Sequence, residues 1–311
     1  MTQPAASTAI VTARAAMPRK GPRRPKAAPG TEGLSVLRVV GTAAIWVFTA
    51  FNIFILYWLL VSTFKTPREI FGSPFGLPHD LFAVGRPFRN WATAWVTSDF
   101  GSAFVNTILV VGVSCALLIV VGSPAAYALS RFGTRGSAAM TTFFVIGIGV
   151  PFQTIVIPMF VAMSKLGIAD SLWGLTIVYV ALSLPFTIFL LTGFFGSLPD
   201  ELEEAAAVDG LSPARTFLTV MLPLARGGII TAVILNAIGL WNETLLAVVL
   251  LRDDTQFTMS RALFTFYQTM QYNSDYGGLM AGVGLVVLPM FVLYLLLARR
   301  IIEGLTLGSG K

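Results

Sequence analysis

The sequence predicts an all-helical integral membrane protein with six transmembrane helices, and three observations carry that expectation. Composition is the first: 55% of the 311 residues are hydrophobic and only 12% are charged, where ordinary soluble domains carry about 25%. The uncharged stretches are the second. No charge falls in 39–64, 100–130, 136–164, 171–199 or 276–298, and each run exceeds the roughly 20 residues a helix needs to cross about 30 Å of hydrocarbon. A further run, 227–251, is broken only by Glu243. The distribution of Lys and Arg is the third, because it orients the spans.

The spans fall at about 39–62, 104–128, 138–161, 172–195, 228–250 and 277–298. An even number puts both termini on one side. That side would hold Arg14, Arg19, Lys20, Arg23, Arg24, Lys26, Arg38, Arg131, Arg135, Arg215, Arg226, Arg299, Arg300 and Lys311, which is 14 of the 21 basic residues. The excess makes both termini and the 200–226 loop cytoplasmic. Residues 1–35 form a basic tail rich in Ala and Pro, expected to be disordered and cytoplasmic. The remainder, 36–311, is one transmembrane domain, whose first span is a retained anchor because no small-residue cleavage site follows it.

Between the first two spans, Pro67, Pro74, Pro78 and Pro87 with Gly72, Gly76 and Gly85 predict an irregular external loop. It holds one short helix near Asn90 to Trp95, with Trp91 and Trp95 on one face as an interfacial aromatic pair. Short turns follow at 131–137 and 164–171. Pro151 and Pro158 in the third span, Pro185 in the fourth and Pro289 in the sixth predict kinks. Gly278 and Gly282 have the spacing of a helix-packing pair. The segment 251–274, with Arg252, Asp253, Asp254, Arg261, Phe264 and Tyr267, is expected to be an external loop.

Several function classes are excluded early. With one Cys (Cys115) and one His (His79), the chain can form no internal disulfide and no His/Cys metal cluster. Aromatics are not interleaved with the basic tail, so nucleic acid is not a partner. A P-loop needs Gly-x-x-x-x-Gly-Lys-Ser/Thr. The nearest fragment, Gly308-Ser309-Gly310-Lys311, has Leu305 where the first Gly belongs. The chain therefore carries no ATPase of its own, and no cofactor or metal is expected on it.

The most informative stretch is 200–223, DELEEAAAVDGLSPARTFLTVMLP, a polar island between apolar runs. Asp200 with Glu203 three residues later has the pattern of a capping box. Acids in the first turn suit the helix dipole. Gly210 is placed for the left-handed residue that ends a helix, and Ser212-Pro213 starts another. The expectation is helix, glycine turn, helix, running into the fifth span at Arg226. A solvated connector explains the caps and the acids. It does not explain Ala205, Ala206 and Ala207, whose small side chains let another protein's backbone come close.

This loop resembles the EAA loop by which permease subunits of ABC importers grip their ATPases: Glu204, Ala205, Ala206, Asp209, Gly210, then Leu222-Pro223 at the family's interval. Val220 departs from the usual Ile. Other segments resemble the carbohydrate branch, specifically its maltose-type second permease. They are Asn90-Trp91 before Ala94-Trp95, Asn106, Ala125-Ala126-Tyr127-Ala128 ahead of Arg131, Ile157-Pro158 before Lys165-Leu166-Gly167, Trp241-Asn242-Glu243 and Gly304-Leu305-Thr306. The resemblance covers about residues 35–311. It implies a type I ABC importer permease fold and binding-protein-dependent import of a carbohydrate, in the di- or oligosaccharide class. It also implies a second permease, an ATPase dimer that binds ATP and Mg, and an extracytoplasmic substrate-binding protein, in a bacterial cell membrane. The coupling loop is then 197–226, with Glu204, Ala205, Ala206, Asp209 and Gly210 at the ATPase contact.

Polar residues inside the spans are the candidates for lining a pathway: Asn106, Gln153, Tyr179, Asn236, Trp241, Asn242 and Glu243. Amides, a carboxylate and aromatic faces suit sugars. Each Asn or Gln could instead bond a neighbouring helix, and Glu243 could be a structural acid. Alternatives to sugar import are an ABC permease for a polyamine or phosphorylated polyol, and an ATP-independent secondary transporter, which would show broken spans in two related halves.

Overall fold

A computed structural model describes residues 31–79, 88–133 and 136–307. The tail through residue 30, Arg86, Arg135 and the Gly308 to Lys311 fragment lie outside the described residues. Every regular element among the described residues is a helix. The chain divides into two compact units, one through Phe54 and one from Ile55 onward. The first is the start of α1 (Thr31–Ser62), whose Trp46 and Phe48 expose most of their side chains. All the sites below belong to the second unit.

Among the described residues, four helices are long and apolar enough to span a membrane: Arg38–Ser62 within α1, α4 (Phe100–Arg131), α7 (Leu172–Gly196) and Tyr276–Ala298 within α14 (Tyr276–Leu307). Six unbroken spans are therefore not what forms. The expected third span is split into α5 (Ser137–Gly149) and α6 (Val156–Lys165) by a 3-10 turn at Phe152–Thr154. Pro151 causes the split. It has no N–H to give, and it holds Val150 extended at φ −77, ψ 118. The expected fifth span is split as well. There α11 (Arg226–Asn242) stops where Glu243 turns extended, and α12 (Leu245–Leu250) restarts the helix. Pro124, Pro185 and Pro289 sit inside continuous helices.

Two segments expected to be loops are ordered differently. After the first span, Thr66 and Glu69 form a capping box that starts α2 (Pro67–Gly72), and α3 spans Arg89–Thr97. Trp91 is half-buried and donates its indole N–H to Thr63 Oγ1 at 3.1 Å, while Trp95 stays 46% exposed. The 251–274 segment is mostly α13 (Met259–Asn273). Ala262, Phe266 and Met270, spaced four apart, are buried along one face of it. Arg261, Thr265 and Thr269 interleaved with it hid that stripe.

Since lipid is as apolar as Leu, helix association here relies on close packing, not on hydrophobic transfer. Small residues supply it. A Cβ on Gly228 of α11 would lie 2.3 Å from the Phe194 ring of α7, and one on Gly282 would lie 3.0 Å from the Phe266 ring. The core has two parts. One gathers Phe100, Tyr179, Trp241 and Phe266, and the other gathers Tyr127, Leu191, Phe195 and Met221 beside the 200–226 segment.

Candidate functional site

Helix α8 (Glu201–Val208) ends in a complete Schellman motif. The Gly210 N–H donates to Ala207 O and the Leu211 N–H to Ala206 O, each at 3.0 Å, with Gly210 at φ +78. Only Gly takes that backbone without strain. Ser212 is extended and Pro213 opens α9 (Pro213–Thr216), followed by a π-helical turn, Phe217–Met221, and α10 (Leu222–Leu224). This 213–224 segment meets α11 at a bend of 72°, so it does not run straight into the span.

Glu201, Glu204, Ala205, Val208 and Asp209 are all exposed, and their spacing of three and four residues makes them one face of the helix. Gly210 continues that face, also exposed. Ala206 is only 4% exposed and faces inward. The expected run of three alanines is thus not one surface. Val208, which the sequence reading passed over, is 88% exposed and belongs to it.

The capping box expected at Asp200 and Glu203 does not form, and no side chain caps α8. Both carboxylates turn sideways to α4. The Tyr127 hydroxyl donates to Glu203 Oε1, and the Arg131 guanidinium donates to Asp200 Oδ1. Arg131 also donates to the Phe195 carbonyl at 2.7 Å and to the Leu198 carbonyl. Its side chain is 5% exposed, against 85% for Asp200 and 26% for Glu203. A buried guanidinium with nearby carbonyls outcompetes the helix N–H groups for these carboxylates, because charge-assisted bonds are stronger and burial of an unpaired charge is costly. Tyr127 and Arg131 line a 240 Å³ groove with Glu203, Ala207 and Leu211. Both were visible only as part of a matching segment, with no role attached.

The pathway candidates separate into groups. Tyr179 is buried and donates to Glu243 Oε2 at 2.9 Å. Glu243 also accepts from the Leu246 N–H at 2.8 Å and the Ala247 N–H at 3.2 Å, so it caps α12 at the break in the span. Its own carbonyl accepts from the Ser260 hydroxyl at 2.5 Å. Asn106 donates to the Thr255 and Phe257 carbonyls at 2.9 and 3.1 Å, tying the start of α13 to α4. Trp241 is buried, with its indole N–H on the Val286 carbonyl at 3.3 Å and its ring edge-on to Phe104. Asn236 lies apart and donates to Thr187 Oγ1 at 3.0 Å. Asn242 and Gln153 are the exposed members.

Residues 118–306 match the family model described as binding-protein-dependent transport system inner membrane component. The chain belongs to that family. This permease is 35% identical over 254 residues to the diacetylchitobiose uptake system permease protein of Streptomyces coelicolor, covering 82% of each chain. It is 35% identical over 230 residues to the trehalose transport system permease protein of Mycobacterium tuberculosis, covering 72% of this chain and 82% of that one. A solved bacterial ABC transporter that imports the acidic polysaccharide alginate shares the permease's fold, with TM-score 0.71 and 22% identity over 85% of this chain and 96% of that one.

Proposed function

We propose that this permease is one of two unlike membrane subunits of an ATP-driven importer of di- or oligosaccharides. An extracytoplasmic binding protein delivers the sugar, and a pair of ATPase subunits drives the cycle. ATP and Mg are held by those ATPases. Both termini and the 200–223 loop face the cytoplasm of a bacterial cell, and the exposed apolar side chains of the spans meet lipid. The permease catalyses no reaction of its own.

The observation that carries this reading is the exposed face of α8. Glu204, Ala205, Val208 and Asp209, continued by Gly210, are a low-bulk ridge outside the packed helices. Such a ridge fits a groove on another protein. Closure of the ATPase pair would push on α8, and the spans would rock between outward-open and inward-open states. The sugar class is supported by relatives whose names specify diacetylchitobiose and trehalose uptake.

Gly210→Asp tests the coupling. An L side chain at φ +78 strains the turn by about 1 kcal/mol and adds charge at the ridge. The variant should insert into the membrane yet lose sugar-stimulated ATP hydrolysis and uptake in proteoliposomes. Normal coupled transport would refute the role of the loop. Screening sugars for stimulation of the purified complex tests the substrate class, and stimulation by polyamines or phosphorylated polyols alone would overturn it.

A further inference from the structure

Three paths join α8 to the spans. Two are covalent: residues 197–200 link it directly to the end of α7, and the Gly210 turn, the π-helical turn Phe217–Met221 and the 72° bend lead into α11. The third is non-covalent and short. Tyr127 and Arg131 are one turn apart on the last turns of α4, and they hold the carboxylates of Glu203 and Asp200 at the first turn of α8. The same guanidinium holds the carbonyls of Phe195 and Leu198 at the end of α7. Arg131 thus fastens three elements at one point.

Behind that point the packing is close. Tyr127 packs on the Phe195 ring at 5.6 Å and on the Phe217 ring at 5.1 Å. Further along the same two helices, Gly122 of α4 lets Thr187 of α7 approach closely. A charge as buried as Arg131 keeps its partners, since releasing them would leave it unpaired in a low dielectric.

We infer that Tyr127 and Arg131 are positioning residues that latch the coupling helix to the α4–α7 pair. A push on α8 then moves α4, to which the chain does not join it directly, together with α7. The inference rests on the coupling reading of the loop and adds to it a route for the force into α4.

The test uses the purified transporter in proteoliposomes with its binding protein and sugar. Tyr127→Phe, Glu203→Ala, their double variant and Arg131→Lys are compared with Gly210→Asp for sugar-stimulated ATP hydrolysis and for retention of the ATPase subunits on purification. Each single variant should lower stimulated hydrolysis about tenfold, as expected for losing one hydrogen bond to a charged group. The double variant should fall no further than the singles, and the ATPase subunits should remain bound. Singles within about twofold of the parent, a scale well below one such bond, would overturn the latch if Gly210→Asp is still uncoupled. Additive losses in the double variant, or loss of ATPase subunits in proportion to activity, would overturn it too. A silent Gly210→Asp would instead remove the coupling reading itself.

Discussion

Glu203 and Glu243 each lie near the break between two helical segments, and each receives a tyrosine hydroxyl. Glu203 accepts from Tyr127 and Glu243 from Tyr179. Their remaining bonds differ. Glu243 turns its carboxylate onto the N–H groups of the helix that follows it, capping α12. Glu203 leaves α8 uncapped and reaches across to α4, with the Arg131 guanidinium 3.8 Å away. Solvent access accounts for the difference. In the apolar interior of a span, the freed N–H groups at a helix break have no water to turn to, so protein groups satisfy them: backbone carbonyls of the 3-10 turn after Pro151, and the Glu243 carboxylate here. At the exposed 200–210 end, water can serve the first N–H groups of α8, and the carboxylates are released to join separate elements.

If that contrast is right, the two acids should fail in different ways. Glu243→Ala leaves the Tyr179 hydroxyl and two backbone N–H groups unpaired in the interior, a loss of roughly 2–4 kcal/mol. The expected result is a much lower thermal midpoint in detergent, with uptake falling only as the folded fraction falls. Glu203→Ala should move the midpoint far less and lower coupled ATP hydrolysis far more. Matching thermal losses in the two variants would dissolve the distinction.

The same contrast explains which features were legible in the sequence. Uncharged length identified the membrane class, and the Gly210 turn was readable because left-handed backbone nearly demands glycine. Pro151 marked a kink and Glu243 an interruption, yet that each fully breaks its helix was hidden, because both lie inside runs of spanning length and hydropathy does not sense backbone continuity. Asp200 and Glu203 matched a capping box by spacing, yet their partners stand about 70 positions earlier in the chain at Tyr127 and Arg131. No local pattern reports a tie of that range. Thr66 and Glu69, with the same spacing and no such rival, do form the box. The stripe of α13 was missed because Arg261, Thr265 and Thr269 share its sequence window.

A middle-sized effect is expected where a tie at the Glu243 end joins elements as Arg131 does at the other. Asn106 holds the carbonyls of Thr255 and Phe257. Asn106→Ala should cost about 1–2 kcal/mol and speed amide hydrogen exchange in 254–260, where Met259 N–H also depends on Thr107 Oγ1 at 2.8 Å. Unchanged exchange there would show that the Thr107 bond and burial of Met259 suffice, and would narrow the role of ties at this end to Glu243.

The smallest stability effect should come from Asn242, and it is the most informative about substrate. Its amide donates to the Ile238 carbonyl of its own helix, at 2.8 Å, and its side chain is exposed beside the α11–α12 break. An exposed residue of this kind changes stability by no more than about 0.5 kcal/mol when truncated. Buried Asn236 and Tyr179 have partners that a sugar would have to displace, which leaves exposed Asn242 and Gln153 as the amides to test. Asn242→Ala should leave the thermal midpoint and ATPase assembly unchanged while raising the sugar concentration needed for half-maximal uptake. A lower midpoint with unaltered sugar dependence would return Asn242 to the structural group with Glu243, leaving exposed Gln153 as the remaining candidate for touching the sugar.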